Sequence, residues 1–408
     1  MLTPRFVSER FRYCRDEQLI YLAVHNHGGR DHVEFSGPDN TSHERGYPAL
    51  LDITGGPVGA LVFAENAVAG DIWTPNRVRR PIKESIVVGR NVVRLYPEPP
   101  PRPPRADITF DRQARWFGDR GQHLLGQLKV GVIGAGGVGL PLISMLARVG
   151  VGTIVAIDPE RVEPTNLPRL PESRRLDALM PLRRFDAVNP LLDRFSTRKV
   201  RLARRVAKRA NPKLTFNGIP ESVVERRAAI ELIDCDFIFL AADQHLARQL
   251  FNIICHQYLI PGIQLGTRID VDSESGRVDD IRSNLRLVLP RQGCLRCARL
   301  IDPTKIQNEA VGKAERERNR YLEEVPAPSV ITLNTRLAAE AVTDFLLMMG
   351  CLVAEQAPLD YLLYRPKLRR HEPVQGLGSK LDCKDCGTVS RSRRGRGDRR
   401  RLPLPERR

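Results

Sequence analysis

No run of about 18 uncharged apolar residues occurs in the chain, so the sequence offers no candidate for a transmembrane helix. The opening stretch, MLTPRFVSERFRYCRDE, lacks the apolar core of a secretory signal peptide and is too charged to act as one. No internal repeat is present. Cysteine is sparse, and half of the eight sit in two Cys-x-x-Cys pairs, a pattern that in an intracellular chain points to metal rather than to disulfides. The expected compartment is the cytoplasm. At 408 residues the chain is long enough for two or three domains, each with a buried core.

Acid is the other shortage. Lys and Arg number 65 against 48 Asp and Glu, a formal charge of +17. Part of the excess is local: residues 388–408, TVSRSRRGRGDRRRLPLPERR, hold nine Arg against Asp398 and Glu406 and so carry +7. That segment has little from which to build a core and reads as a disordered basic tail, touching nucleic acid only non-specifically. A second basic run, Arg198 to Arg209, has helical spacing with Val200, Ala203, Val206 and Ala207 on one side, and reads as a solvated helix face.

The clearest boundary is YPEPPPRPPR, Tyr96 to Arg105, whose six prolines favour a stiff, polyproline-like linker. The expected organisation is a small unit over 1–96, a linker over 97–105, an α/β domain over 106–387 and the tail over 388–408. Within the large domain, strand-like runs (VGVIG, TIVAID, DFIFLAA, IPGIQLG) alternate with helical segments, as in a mainly parallel sheet. The stretch from Pro168 to Asn189 reads as an irregular insertion.

The apolar run Val130–Ile133 leads into Gly134, Gly136, Gly137 and Gly139, then a helix-like segment and a second strand ending at Asp158, 19 residues after Gly139. This is the spacing of a Rossmann βαβ unit, in which glycines let phosphate approach a helix N-terminus and the acid holds a ribose. Asn166 and Arg169 follow closely enough to fold back over a bound nucleotide. A hydride-transfer enzyme has no use for an amide and a guanidinium there, whereas splitting ATP between its α- and β-phosphates uses both. Asp243 stands just beyond an apolar strand that ends near Ala241, a position where a carboxylate suits Mg²⁺.

Together these residues resemble the ThiF/MoeB/HesA superfamily, the ubiquitin-activating-type adenylyltransferases. The likeness rests on GAGGVG, Asp158-Pro-Glu160, Asn166-Leu-Pro-Arg169, Asp243 with Arg248 and Asn252, and IPGIQLG, and spans Phe110 to Gly387. FDRQ, Phe110 to Gln113, resembles the family's Arg-Gln entry segment. The resemblance implies a homodimer in which Arg112 reaches into the neighbouring subunit's ATP site as a finger on the phosphates. It implies Lys199 as the phosphate lysine, Asp158 on the ribose and Asp243 on Mg²⁺. The implied substrate is the C-terminal carboxylate of a ubiquitin-like or sulfur-carrier protein ending in Gly-Gly.

The chain departs from the family pattern in places. Leu170 replaces the usual glutamine after Arg169, and the insertion lengthens the path to Lys199. Members that form a thioester or persulfide carry a cysteine before the segment that here reads YLEEVPAPSVITLNT; this chain has Tyr321 and Leu322 in that region, and no cysteine between Cys297 and Cys351. Cys255 reads as plain packing. Chemistry is therefore expected to stop at the acyl-adenylate or to pass to an external sulfur nucleophile.

Cys294-Leu-Arg-Cys297 and Cys383-Lys-Asp-Cys386, each beside a glycine, form two tight knuckles and read as a four-thiolate structural Zn²⁺ site. The resemblance agrees, and implies a role in tying the C-terminal end to the core, remote from catalysis. In the small unit, His25-Asn-His27 and, further on, Ser36-Gly-Pro-Asp39 place two same-side histidines and a carboxylate where they can share one metal with an open position. This pattern resembles the JAMM motif of JAB/MPN metallopeptidases, which implies a second Zn²⁺ and processing of the same partner. Gly28 replaces the motif's proline, and only Glu9 and Glu17 precede His25 as candidates for a general base. The small domain reads as truncated or degenerate, unless its start lies upstream of Met1.

The expected fold class is thus α/β: a Rossmann-like, mainly parallel sheet forming a ThiF-type adenylation domain, preceded by a small, partial JAB-like domain. Two other readings stand beside it. A non-catalytic adaptor would keep the fold and bind a ubiquitin-like partner. An NAD- or FAD-dependent oxidoreductase would fit the glycine fingerprint but leave Arg112, Arg169 and Asp243 without a task.

Overall fold

The computed structural model describes residues 3–183, 189–272, 274–290, 292–310, 328–357, 360–374, 378–389 and 391–404. It divides into two compact units: 1–88 with 92–102 and 396–401, and 89–91 with 103–395 and 402–408. The main crossing falls inside the proline-rich run.

The first unit begins with α1 (Pro4–Asp16), β1 (Tyr21–Asn26) and α2 (Gly37–Thr54), followed by β2 (Val58–Phe63), β3 (Val68–Trp73) and β4 (Arg79–Pro81). A hairpin of β5 (Ser85–Val88) and β6 (Val92–Leu95) completes it. The sheet runs β1-β2-β3-β4, with β1 and β2 parallel and the other pairs antiparallel. Parallel pairing demands a crossover, and α2 supplies it. Ser36 starts that helix with a reciprocal cap: its hydroxyl accepts from the Asp39 amide at 3.2 Å, and the Asp39 carboxylate accepts from the Ser36 amide at 2.9 Å. Tyr47 and Leu51 of α2 then pack on Val58, Ala60 and Trp73.

The second unit runs α3 (Asp111–Gln127), β7 (Lys129–Ile133), α4 (Gly139–Arg148), β8 (Thr153–Ile157), α5 (Asn189–Phe195), α6 (Lys199–Ala210), β9 (Thr215–Ile219), α7 (Arg226–Ile230), β10 (Phe237–Leu240) and α8 (His245–Gln257). It continues through β11 (Gly262–Val271), β12 (Val278–Val288), α9 (Pro303–Ala310), α10 (Ile331–Met349), β13 (Tyr361–Arg365) and β14 (Arg370–Pro373). The sheet order is β14-β13-β12-β11-β10-β7-β8-β9, parallel from β11 to β9 and antiparallel beyond. The chain moves outward from β7 to β9 and returns to β10 on the other side of β7. The carboxyl ends of β7 and β10 therefore flank a point where the order reverses, where doubly wound sheets hold ligands. On one face α10 brings Phe345 against Phe237 and Phe239. The apolar sides of α7 and α8 form another buried cluster with Ile238, Leu240 and Val155. The basic run forms α6, with Val200, Leu202, Ala203, Val206 and Ala207 buried. Among the described residues no helix is long and apolar enough to cross a membrane.

Over residues 391–404 the reading of the C-terminal segment as disordered is corrected. The Gly395 amide donates to the His256 carbonyl at 2.9 Å and the Arg393 amide to that of Lys384 at 2.8 Å. Leu402 is buried and Leu404 packs in the same cluster as α7 and α8. The segment cannot form a core of its own, but two leucines suffice when other elements supply the cavity.

α10 also carries Asp344, whose carboxyl burial pushes up to about 7, with Glu340 adding in the same direction. Its folded value lies above its unfolded one, so this contribution favours the fold below the ordinary carboxylate range and is lost as pH rises through about 7. Asp344→Asn should flatten the fall in Tm between about pH 4 and about pH 7. An unchanged slope in thermal melts across that window would contradict the assignment.

Candidate functional site

The glycine loop lies at the carboxyl end of β7. Gly134 has φ +94° and its amide donates to the Ile157 carbonyl at 2.9 Å; a side chain there would press on the Ala241 backbone at 2.9 Å. A Cβ on Gly139, the first residue of α4, would collide with the Gly134 carbonyl. The loop thus brings the ends of β7 and β10 into contact and leaves the N-terminus of α4 for an anion. Gly139→Ala cannot relax at that contact and is expected to lose nucleotide binding, with a fall in Tm of several degrees. Parent-like binding of a fluorescent ATP analogue by that variant would refute the packing argument.

Asp158, at the end of β8, is only 5% exposed and accepts from the Ala135 amide at 2.7 Å and the Glu160 amide at 2.8 Å. The carboxylate expected on a ribose therefore also shapes the glycine loop. Burial pushes its carboxyl upward, against the pull of Lys199 and the two amides. Lys199 is the first residue of α6; it is buried, and its ammonium pairs with Glu160. Arg169 approaches the loop, its Cδ lying 3.4 Å from where a Cβ on Gly137 would stand. Asn166, three residues earlier, is buried, with the Glu163 amide 3.4 Å from its Oδ1. Asp243 is exposed in the connection from β10 to α8, and its field acts on the half-buried Arg248. Arg112 is exposed on α3 and makes no ion pair among the described residues.

Three polar residues around the crevice escaped the motif reading. Asn334 of α10 is fully buried, and its Nδ2 stands 2.5 Å from the position of a Gly137 Cβ. It donates to Ser329 Oγ at 3.0 Å and accepts from Thr267 Oγ1 at 3.0 Å. The only signal was an asparagine within an apolar helical pattern. Glu309 of α9 accepts from the amides of His245 and Leu246 at 2.8 Å each and so caps α8 beside Asp243. Asn252, quoted only as part of a motif, is fully buried and joins α8 to both cysteine knuckles: it accepts from the Leu295 amide at 2.8 Å and donates to Asp385 at 2.9 Å. Tyr321 and Leu322 lie outside the described residues.

The four cysteines converge. Sγ separations are 3.7 Å for Cys294–Cys297 and Cys294–Cys383 and 3.6 Å for Cys297–Cys386. A tetrahedral Zn²⁺ with bonds of about 2.3 Å requires sulfur separations of about 3.8 Å, so the set fits the ion. Hydrogen bonds, first from Cys294 and then from Ser379, pull Cys386 down to about 4 against the effect of burial. Thiolate is the form a metal takes.

The second cluster forms in the first unit. His25 Nε2 lies 3.4 Å from Asp39 Oδ1, and His27 Nε2 lies 3.2 Å from Asp39 Oδ2. Metal bonds of about 2.0–2.1 Å to nitrogen and oxygen give tetrahedral edges near these lengths. His27 Nδ1, when protonated, donates to the Glu34 carbonyl at 3.1 Å, leaving Nε2 free to ligate. Partial burial raises the Asp39 carboxyl, but bonds from Ser36 and the nearby His25 win and hold it below its ordinary value. Neither upstream glutamate joins the cluster: Glu9 pairs with Arg5 at 3.0 Å and Glu17 with Arg396 at 2.8 Å.

Comparison with known proteins gives a consistent result. Residues 110–364 match the ThiF family. The SAMP-activating enzyme E1 of Haloferax volcanii is 27% identical over 180 residues, covering 44% of this chain and 56% of that protein. The sulfur carrier protein adenylyltransferase of Thermus thermophilus is 38% identical over 80 residues, covering 18% of this chain and 30% of that one. The chain thus spans about half the length of the first relative and under a third of the second. Among solved structures, E. coli MccB with ATP aligns with a TM-score of 0.51 at 19% identity, over 69% of this chain and 75% of that one, a likeness of fold.

Proposed function

The chain belongs to the ThiF family over residues 110–364, and from that premise we propose that its second unit adenylates the C-terminal carboxylate of a ubiquitin-like or sulfur-carrier protein ending in Gly-Gly. A carboxylate oxygen attacks the α-phosphorus of ATP; the bond to the β-phosphate's bridging oxygen breaks, and pyrophosphate leaves with that electron pair. The observation that carries this reading is the assembly of the glycine loop, Asp158, Arg169 and Lys199 at the ends of β7 and β8, with Asp243 past the end of β10. Loop amides and the α4 N-terminus receive phosphate, Arg169 and Lys199 offset its charge, and Asp158 accepts from the ribose. Asp243 would hold Mg²⁺, which neutralises the phosphates as pyrophosphate departs. Arg112 acts in trans, completing the site of the other subunit in a homodimer.

No enzyme thioester enters the scheme. Cys255 is fully buried and burial pushes its thiol up, away from the thiolate that attack requires. The product is an acyl-adenylate for an external nucleophile. Incubation of the full chain with ATP, Mg²⁺ and a small carrier ending in Gly-Gly should release pyrophosphate and leave AMP on the carrier. Tight NADH binding without ATP binding would replace this reading with the oxidoreductase one.

For the first unit we propose a hydrolytic metal centre of His25, His27 and Asp39 that trims the same partner. Two imidazoles and one carboxylate leave a position open for water. This metal should leave under mild chelation while the four-cysteine metal stays, and His27→Ala should remove one metal equivalent alone. A metal content unchanged by His27→Ala would overturn the proposal. Without Glu9 or Glu17 in the cluster, cleavage of a carrier fusion should be feeble.

A further inference from the structure

The second unit buries an arginine. Arg286, on β12, is 1% exposed and heads the largest fully buried side chains. Its Nη2 donates to the Gly293 carbonyl at 2.5 Å, the residue before Cys294, and its guanidinium lies 5.7 Å from the centre of the Tyr361 ring. Nε and Nη1 are buried with no hydrogen-bond partner among the described residues. Among the described residues the carboxylate of Asp360, which also accepts from Gln292 at 2.6 Å, acts on it first, and the Cys294 and Cys297 sulfurs of the first knuckle lie within its field. One carboxylate leaves two buried N–H groups of the guanidinium unsatisfied, so further negative charge close by is favourable.

We infer that Arg286 is a counter-cation of the four-cysteine metal centre, held beside its first knuckle by the bond to the Gly293 carbonyl. Four thiolates around Zn²⁺ carry a net charge of −2. Such a centre is itself expensive to bury, and the guanidinium beside the first knuckle offsets half of its charge. Each group thereby relieves the other. The inference rests on metal occupancy of the cysteines and is independent of the adenylation chemistry.

The test compares the full-length parent with Arg286→Met, each with zinc and after its removal. With zinc, the substitution should lower Tm and speed zinc release to a colorimetric chelator by about 10- to 100-fold, the range typical of outer-shell changes. Without zinc the fixed −2 charge of the assembled centre is lost and the arginine loses the partner proposed for it, so the same substitution should raise Tm. A change of the same sign in both states, or release at the parent rate, would overturn the inference, as would a parent that takes up no metal. Should Arg286→Met not fold, Arg286→Lys keeps the charge and loses the planar fork. Its cobalt-loaded form should show a shifted sulfur-to-metal charge-transfer band, and a band identical to the parent's would overturn it equally.

Discussion

Asp243→Ala is expected to lower carrier-dependent pyrophosphate release by about 10²- to 10³-fold, the scale seen when one preorganised group facing developing charge is removed. Mg²⁺ takes few protein ligands, commonly one or two carboxylates, and fills its remaining positions with water and phosphate oxygens. On the role proposed for Asp243, loss of its carboxylate would remove most of the protein's hold on the ion. Because the residue is exposed in the β10–α8 connection, the substitution should leave the fold intact. Arg248 loses a neighbouring charge, but its Nη1 still donates to the Leu300 carbonyl at 3.3 Å. Melting within a few degrees of the parent, with ATP turnover nearly abolished, is the expected pair of results. Parent-like turnover at saturating Mg²⁺ would remove Asp243 from the site.

Stripping the metal from Cys294, Cys297, Cys383 and Cys386 should have the largest effect on stability. Binding free energy of a structural zinc, about 10–16 kcal/mol in isolated peptides, is released only when the site is folded. Here the site joins chain segments far apart in sequence, and Asn252 ties both knuckles to α8. Cys383→Ser, or chelation under denaturing stress, should lower Tm by ten degrees or more and free the C-terminal segment to proteolysis. Because α8 begins two residues after Asp243, turnover should fall along with the fold. That outcome would join the metal centre to the active crevice rather than leave it remote. Purified protein with no tightly held zinc, or a melt indifferent to Cys383→Ser, would sink the assignment.

Local order along the chain was enough for much of this molecule. Gly134, Gly136, Gly137 and Gly139, with Asp158 at a fixed distance, announced a strand–loop–helix–strand unit, because each step is set by neighbours in sequence. Repeated strand and helix patterns gave the α/β class, and two short cysteine spacings marked the four thiols that converge, since a knuckle is itself a local turn. His25, His27 and Asp39 were legible for the same reason: a strand fixes the first two and a capping box the third. What local order could not determine was which distant segment fills each cavity. The burial of Leu402 depends on space left by α7 and α8, and the place of Asn334 against Gly137 depends on packing α10 beside the glycine loop. Arg286, in a sequence window like many others, is buried only because β12 lies between β11 and β13 with the first knuckle folded beside it. Burial and charge pairing belong to the packed chain, and those terms decided which polar residues pack around the glycine loop and which stand beside the four cysteines.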